Sequence, residues 1–367
     1  MLDTINPVLK LEGRQLGNDW TVIQRLPIRG EVGAEGKTGG NFSVGYIVER
    51  TGKQAFMKVF DIANAFASPP ERIALELHRI SSAYLHEKEL LELCRSAKLD
   101  RIVQVLDSGT IADGPHPPLF YLIFEQADRD IRAALGALGT IHDAWKFKHL
   151  HQVAVGLSQL HRHKVAHQDL KPSNVLLFEQ ANEGAKIADL GRASRVGKEA
   201  EHDSFMIAGD PSYAPPEQMY GFRAPDWVDR REACDLYHLG ALICFLFSGM
   251  SPTVRVLSIM GQGMWPLPFG RWQGGYQDAV PFLTAAFTKF MAELKPLLPE
   301  WCRQELFELI QNACHPDLSN RGDPAARKMV GRPVGIDRYI SRLQLLAKKG
   351  EIQARLANTG NAKGNAV

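Results

Sequence analysis

The stretch His167-Gln-Asp-Leu-Lys-Pro-Ser-Asn174 gathers a carboxylate, an ammonium and a carboxamide in one short segment. A carboxylate can orient or accept a hydroxyl proton, an ammonium can neutralise an anion, and an amide oxygen can ligate a hard cation. Fifteen residues after Asn174 a second carboxylate opens Asp189-Leu-Gly191, just past the strand pattern Ala185-Lys-Ile-Ala188. Further on stand Gly209-Asp-Pro-Ser-Tyr-Ala-Pro-Pro-Glu217 and Asp235-Leu-Tyr-His-Leu-Gly240. Upstream, Lys58 lies in Ala55-Phe-Met-Lys-Val-Phe60, after a glycine-rich stretch, Gly36-Lys-Thr-Gly-Gly-Asn-Phe-Ser-Val44. Lys37-Thr38 would suit a P-loop, but that pattern needs a glycine where Glu31 stands, and no helix pattern follows. His149, His151, His161 and His163 lack an acid or cysteine at ligand spacing, so they read as residues of a surface helix rather than a zinc site.

The elements that must hold these residues are legible in the periodicity. Residues Trp20–Leu26, Phe42–Glu49 and Gln54–Phe60 read as strands, the last two joined as a hairpin through Thr51-Gly52. In the third strand Phe56 and Phe60 share a side with Lys58, and Met57 and Val59 face the other way. A long helix is expected over Glu71–Ala97, with Pro70 near its start. Strands Ile102–Leu106 and Leu119–Phe124 follow, separated by the loop Asp113–Pro118. Past residue 125 the character becomes helical, with helices over Ile131–Leu138 and Trp145–His163 and a small hairpin at Val175–Phe178 and Lys186–Ala188. Leu236–Phe247 is too short for a bilayer and reads as a buried helix. Trp265–Gly275 reads as a long loop, and Ile336–Ala357 as one more helix with Ile340, Leu343, Leu346 and Ile352 on a face. The resulting division is 18–125, 126–330, a helical extension 331–357 and a flexible polar tail 358–367.

The ordered set Lys58, Glu87, Asp169, Lys171, Asn174, Asp189, Glu217 and Asp235 resembles the protein serine/threonine kinase family over about residues 18 to 330. The resemblance implies an α+β, bilobal fold: a small antiparallel sheet with one long helix over a mainly helical lobe, with ATP in the cleft. It implies that Asp169 orients the substrate hydroxyl, Lys171 neutralises the phosphoryl group in flight, and Asn174 and Asp189 bind magnesium. Lys58 would hold the α- and β-phosphates, partnered by a glutamate of the long helix. Glu87 and Glu89 both stand there, Glu76 is a further candidate, and Glu87-Lys-Glu-Leu-Leu91 fits the family pattern best. Gly36, Gly39 and Gly40 would bring backbone amides to phosphate, and Val44 would pack on the adenine ring. Phe124 would be the gatekeeper, with backbone groups of Glu125 and Ala127 on the adenine edge. Glu217 would pair with Arg321 or Arg327, and Asp235 would accept hydrogen bonds from backbone around His167. His167 itself would be structural and pack against the metal-binding segment.

The chain departs from the family at several places, among them Leu190 for a phenylalanine and Pro215 for an alanine. Gln168 replaces an arginine that pairs with a phosphorylated residue, so activation is expected not to depend on that switch, although Ser204 and Ser212 remain open to modification. Asp210 stands where a threonine is usual and puts a negative charge near Asp169, and the glycine loop is irregular. The resemblance implies phosphoryl transfer to protein serine or threonine, the chain itself included. Three rivals stand beside it: a small-molecule kinase, a pseudokinase scaffold, and another ATP-dependent protein modifier such as an adenylyltransferase.

Composition sets the outer limits. The chain has 367 residues, 45% hydrophobic and 23% charged, which excludes a mostly disordered or collagen-like polymer. A net charge of +2 gives no ground for a nucleic-acid partner. Five widely spaced cysteines without a CxxC read as reduced thiols. With no basic-then-apolar leader and no membrane span in the pattern, the expected location is the cytoplasm.

Overall fold

The computed structural model describes residues 6–27, 43–66, 68–112, 117–137 and 141–364. The glycine-rich stretch with Gly36, Gly39 and Gly40, and positions 113–116 of the expected loop, lie outside the described residues. The chain divides into two compact units, Met1–Asp128 and Arg129–Val367.

The first unit is built on a five-stranded antiparallel sheet. Its strands are β1 (Thr21–Arg25), β2 (Ser43–Arg50), β3 (Lys53–Phe60), β4 (Val105–Ile111) and β5 (Leu119–Glu125), in the order β1-β2-β3-β5-β4. The short helix α1 (Ala63–Phe66) and the long helix α2 (Pro70–Ser96) connect β3 to β4. Helix α2 contains no glycine or proline after Pro70, which stands in the first turn where its missing N–H costs nothing. Tyr84 of α2 stacks on Phe120 at 4.8 Å and meets Phe60 edge-on at 5.4 Å, which seats the helix on the sheet face that carries Lys58.

The other face is closed by the chain ahead of β1. Val8, Leu11 and Trp20 are buried with Val44, Tyr46, Val48, Met57, Val59, Tyr121 and Ile123. Tyr46 donates its hydroxyl to the Val8 carbonyl at 2.5 Å, and the Asn6 amide reaches the Asp61 carboxylate at 2.9 and 3.1 Å. Each apolar side chain so buried contributes about 1.5–3 kcal/mol. The unit therefore begins well before residue 18, the expected boundary: the short apolar run Pro7–Leu11 has no strand or helix period to mark it. Strand β4 also starts later than expected, because Asp107-Ser-Gly-Thr110, polar and loop-like in sequence, pairs with β5 after a bulge.

The second unit is mainly helical. A three-stranded sheet joins β6 (Arg129–Asp130), β8 (Val175–Phe178) and β9 (Gly184–Ile187), and a two-stranded one joins β7 (Val165–Ala166) with β10 (Ser194–Arg195). The helices are α3 (Ile131–Ala137), α4 (Asp143–Arg162), α5 (Pro216–Met219), α6 (Ala233–Ser248), α7 (Pro252–Met260), α8 (Tyr276–Leu294), α9 (Arg303–Ala313) and α10 (Ile336–Gly364). As expected, α6 is a core helix, buried from Ala233 to Cys244. Among the described residues no single helix is long and apolar enough to cross a membrane. All five cysteines are buried free thiols.

Helix α10 packs on α4 and continues through Gly364, where a frayed tail was expected from residue 358. A helix already formed extends at little cost where no proline stops it. Its buried side is Tyr339, Leu343, Leu346 and Gly350, whereas Ile352, expected on that face, is exposed. Gly350 lets the two helices touch: a Cβ there would lie 3.1 Å from the Ala144 Cα. Ion pairs Arg342–Glu308 (2.9 Å) and Lys349–Glu305 (3.1 Å) hold α10 to α9.

Candidate active site

In the first unit the sheet and α2 bring Lys58 and Glu87 together. The Lys58 Nζ lies 2.8 and 3.0 Å from the two Glu87 carboxylate oxygens. Glu87 shares the buried side of α2 with Leu90, Leu91 and Cys94, at helical spacing. Glu89, two residues on, is exposed, and it is Glu87 that meets Lys58. Phe56, Lys58 and Phe60 share a sheet face, and Phe56 meets the gatekeeper candidate Phe124 at 6.2 Å between ring centroids. Glu125 ends β5, its backbone N–H donating to the Gln104 carbonyl at 3.1 Å, and Ala127 follows it.

Val44 is not brought to this face. It pairs with Val59 and is buried in the cluster with Val8 and Leu11; Gly45 is the residue that pairs with Lys58. Residues opposite one another in a ladder share a face, so the surface beside Lys58 is formed by Gly45 and Phe56 rather than Val44.

In the second unit the segment after β7 is pinned by Asp235 in the first turn of α6. The Asp235 carboxylate accepts the backbone N–H of His167 and of Gln168, both at 2.8 Å, the Gln168 side-chain amide at 3.2 Å and His161 Nε2–H at 2.9 Å. Burial alone would raise its pKa, but the hydrogen bond and charge of His161 and the further donors outweigh this and hold it below the usual carboxylate range. This work for Asp235 agrees with the sequence expectation. The histidines of α4 differ from expectation, since His149 and His161 are buried.

His167 links two segments. Its Nε2–H donates to the Ala188 carbonyl at 3.0 Å, and its Nδ1 accepts the Asp169 backbone N–H at 3.2 Å. Both Gln168 and Asp189 adopt left-handed backbone, φ +66° and +62°, a conformation that costs free energy and must be held by its surroundings.

Asp169 sits at the centre of a set of donors. One carboxylate oxygen accepts the Asp210 backbone N–H at 2.8 Å; the other takes the Lys171 Nζ at 2.9 Å and the Asn174 amide at 3.3 Å. The same Asn174 amide nitrogen donates to the Asp169 carbonyl at 2.8 Å. Burial raises the Asp169 pKa, the nearby Asp189 charge adds to this, and Lys171 opposes it. A carboxyl so placed can take up a proton more readily than a solvated one.

Asp210 fits this arrangement better than its charge suggests. Its backbone serves Asp169, its side chain accepts the Ser212 N–H at 2.9 Å, and Lys171 lies 3.8 Å away. Gly209 is required on steric grounds, because a Cβ there would stand 2.5 Å from an Asp169 oxygen. Glu217 pairs with Arg321 through two parallel 2.6 Å hydrogen bonds, and Arg321 is wholly buried. Arg327, the other candidate, binds Asp229 instead.

The donor set suits a hard divalent cation. Asn174 spends its amide nitrogen on Asp169, which leaves the amide oxygen as its ligating end. Asp189 supplies a carboxylate close enough to Asp169 for their charges to interact. Magnesium is commonly held by one or two such protein oxygens, with water and phosphate completing the shell.

The comparisons agree with this geometry. The family model described as the protein kinase domain matches residues 40–326. A probable serine/threonine-protein kinase of Dictyostelium discoideum is 24% identical over 301 residues, covering 80% of this chain and 51% of that protein. The serine/threonine-protein kinase SBK1 of Mus musculus is 29% identical over 187 residues, 49% of this chain and 43% of that protein. PknB of Mycolicibacterium smegmatis is 26% identical over 182 residues, 49% of this chain and 28% of its own length. The chain thus spans about half or less of the length of these relatives. With its sheet-and-helix unit, its mainly helical unit and this match across most of its length, the chain belongs to the protein kinase domain family.

Proposed function

We propose that the protein transfers the γ-phosphoryl group of ATP to serine or threonine hydroxyls of protein substrates. The observation that carries this is Asp169, buried and raised in pKa, hydrogen-bonded to Lys171 and Asn174 and lying near Asp189. In the transfer, the substrate hydroxyl oxygen bonds to the γ-phosphorus in line with the breaking bond to the β–γ bridging oxygen. ADP leaves, and the hydroxyl proton passes to Asp169. Lys171 neutralises the equatorial oxygens, and Lys58, oriented by Glu87, holds the α- and β-phosphates. Asn174 and Asp189 would hold magnesium, which when bound neutralises charge on the phosphates. Gly36, Gly39 and Gly40 would supply backbone amides to the phosphates, and Phe124, Glu125 and Ala127 would border the adenine. Serine/threonine preference is supported by Lys171 two residues after Asp169 and by the relatives' names.

The test is steady-state transfer from labelled ATP to a generic protein substrate with magnesium. Asp169→Ala and Asp189→Ala are each expected to lose about 10³-fold in kcat while circular dichroism and a cooperative melting transition show that they stay folded. Full activity in either variant would overturn the proposal.

A further inference from the structure

We propose that Asp203 and Arg231 are positioning residues that hold the catalytic loop through Gln168, so that the loop is set by a permanent carboxylate and needs no phosphate. This rests on the phosphotransfer reading for its kinetic consequence, though the linkage itself is visible in the geometry.

Gln168, the residue before Asp169, is fully buried. A neutral amide cannot bind an anion as a guanidinium does, but it can bridge. Its Oε1 accepts Arg231 Nη1 at 3.0 Å, and its Nε2 donates to the Arg231 carbonyl at 3.0 Å and to Asp235 at 3.2 Å. Arg231 lies in the π-helical turn Val228–Glu232 that leads into α6 and is 6% exposed. Its other terminal nitrogen pairs with the Asp203 carboxylate.

Asp203 belongs to the segment between β10 and Gly209. Its carboxylate also accepts the Ser194 hydroxyl at 2.6 Å and the Ala200 backbone N–H at 2.9 Å. One line of contacts therefore runs from that segment, through partly buried Asp203 and buried Arg231 and Gln168, to Asp235 and the backbone that carries Asp169. No member is a modifiable hydroxyl except Ser194, and that serine already donates to Asp203.

The electrostatics agree. Burial would raise the Asp203 pKa, but the Ala200 N–H, the Ser194 hydroxyl and the Arg231 charge outweigh it and keep the carboxyl ionised. Burial lowers the Arg231 pKa, and Asp203 is the main group opposing this. An arginine does not shed its proton in such a site, so loss of Asp203 leaves a buried guanidinium without its counter-charge. That guanidinium must then move toward water, and Gln168 loses the group that fixes its side chain. Gln168 already holds strained backbone, so a small loss of support displaces Asp169.

The experiment uses the full chain after phosphatase treatment. The treated wild type is expected to transfer phosphoryl groups undiminished. Asp203→Asn is expected to lower kcat about tenfold or more with KM for ATP within about twofold, and Asp203→Glu to restore most of kcat. A purely structural role would lower melting temperature and leave kcat per folded molecule alone. An unchanged kcat in Asp203→Asn overturns the proposal, as does a treated wild type that has lost its activity. If the untreated wild type transfers nothing, the functional reading fails, and amide hydrogen exchange then decides the linkage. Faster exchange over residues 165–171 in Asp203→Asn supports it, and unchanged exchange refutes it.

Discussion

Glu217→Ala is expected to destabilise the protein by about 3–5 kcal/mol, measured as a shift of the denaturant midpoint at constant m-value. The cost comes from what is left behind. Arg321 is 0% exposed, and the removed carboxylate supplies both of its terminal hydrogen bonds. The Arg321 Nε stays bonded to the His315 carbonyl at 3.0 Å, and its guanidinium lies 5.0 Å from the Tyr237 ring, so the charge cannot swing into water without breaking further contacts. An uncompensated buried cation is more costly than the pair is favourable. The double variant Glu217→Leu with Arg321→Met should therefore lose less than Glu217→Ala alone. A single-variant loss below about 1 kcal/mol, the range of exposed pairs, would show that the pair is not buried as described.

Asp235→Asn carries an effect of similar size for a different reason. The carboxylate accepts four hydrogen bonds, two from backbone at His167 and Gln168 and two from the His161 and Gln168 side chains. An amide can accept at one end only, and its NH2 would face donors at the other. Buried donors left unmet cost about 1–3 kcal/mol each, so a loss of about 3–5 kcal/mol is expected. The pH dependence gives an independent readout. Asp235 is held below its ordinary pKa, so the folded form binds its proton less readily than the unfolded form. Its stabilisation is fully present above the unfolded value, about 3.9, and is lost as pH falls through the lower folded value. The wild type should thus lose stability in that acid window more steeply than Asp235→Asn. Parallel stability curves for the two proteins would contradict the assignment.

Much of the site was legible because its key residues lie in short local motifs. The contacts of Asp169 with Lys171 and Asn174 stay inside one loop. Helix period showed only that Glu87 and Glu89 cannot both face Lys58, and the resemblance to the family pattern favoured Glu87. What spacing could not supply were partners far apart in sequence: Arg321 for Glu217 across 104 residues, and Arg231 for Gln168 across 63. Val44 differs from expectation, and its face follows from the hairpin register. A two-residue turn at Thr51-Gly52 pairs Arg50 with Lys53, and that register places Gly45, not Val44, opposite Lys58. His149 and His161 have no acid or cysteine at ligand spacing and so read as surface residues, yet both are buried and bond to partners that spacing does not reveal, the Trp145 carbonyl and Asp235. The burial of Val8 and Leu11, ahead of residue 18, follows from the sheet face they cover and not from any period of their own.

The most direct test of the central claim is the intact mass of protein substrate after incubation with the full chain, magnesium and ATP. Each modified copy should gain the mass of one phosphoryl group, mapped to serine or threonine, and none should appear with Asp169→Ala. A gain equal to a nucleoside monophosphate, or no gain from a wild type that binds ATP, would contradict it.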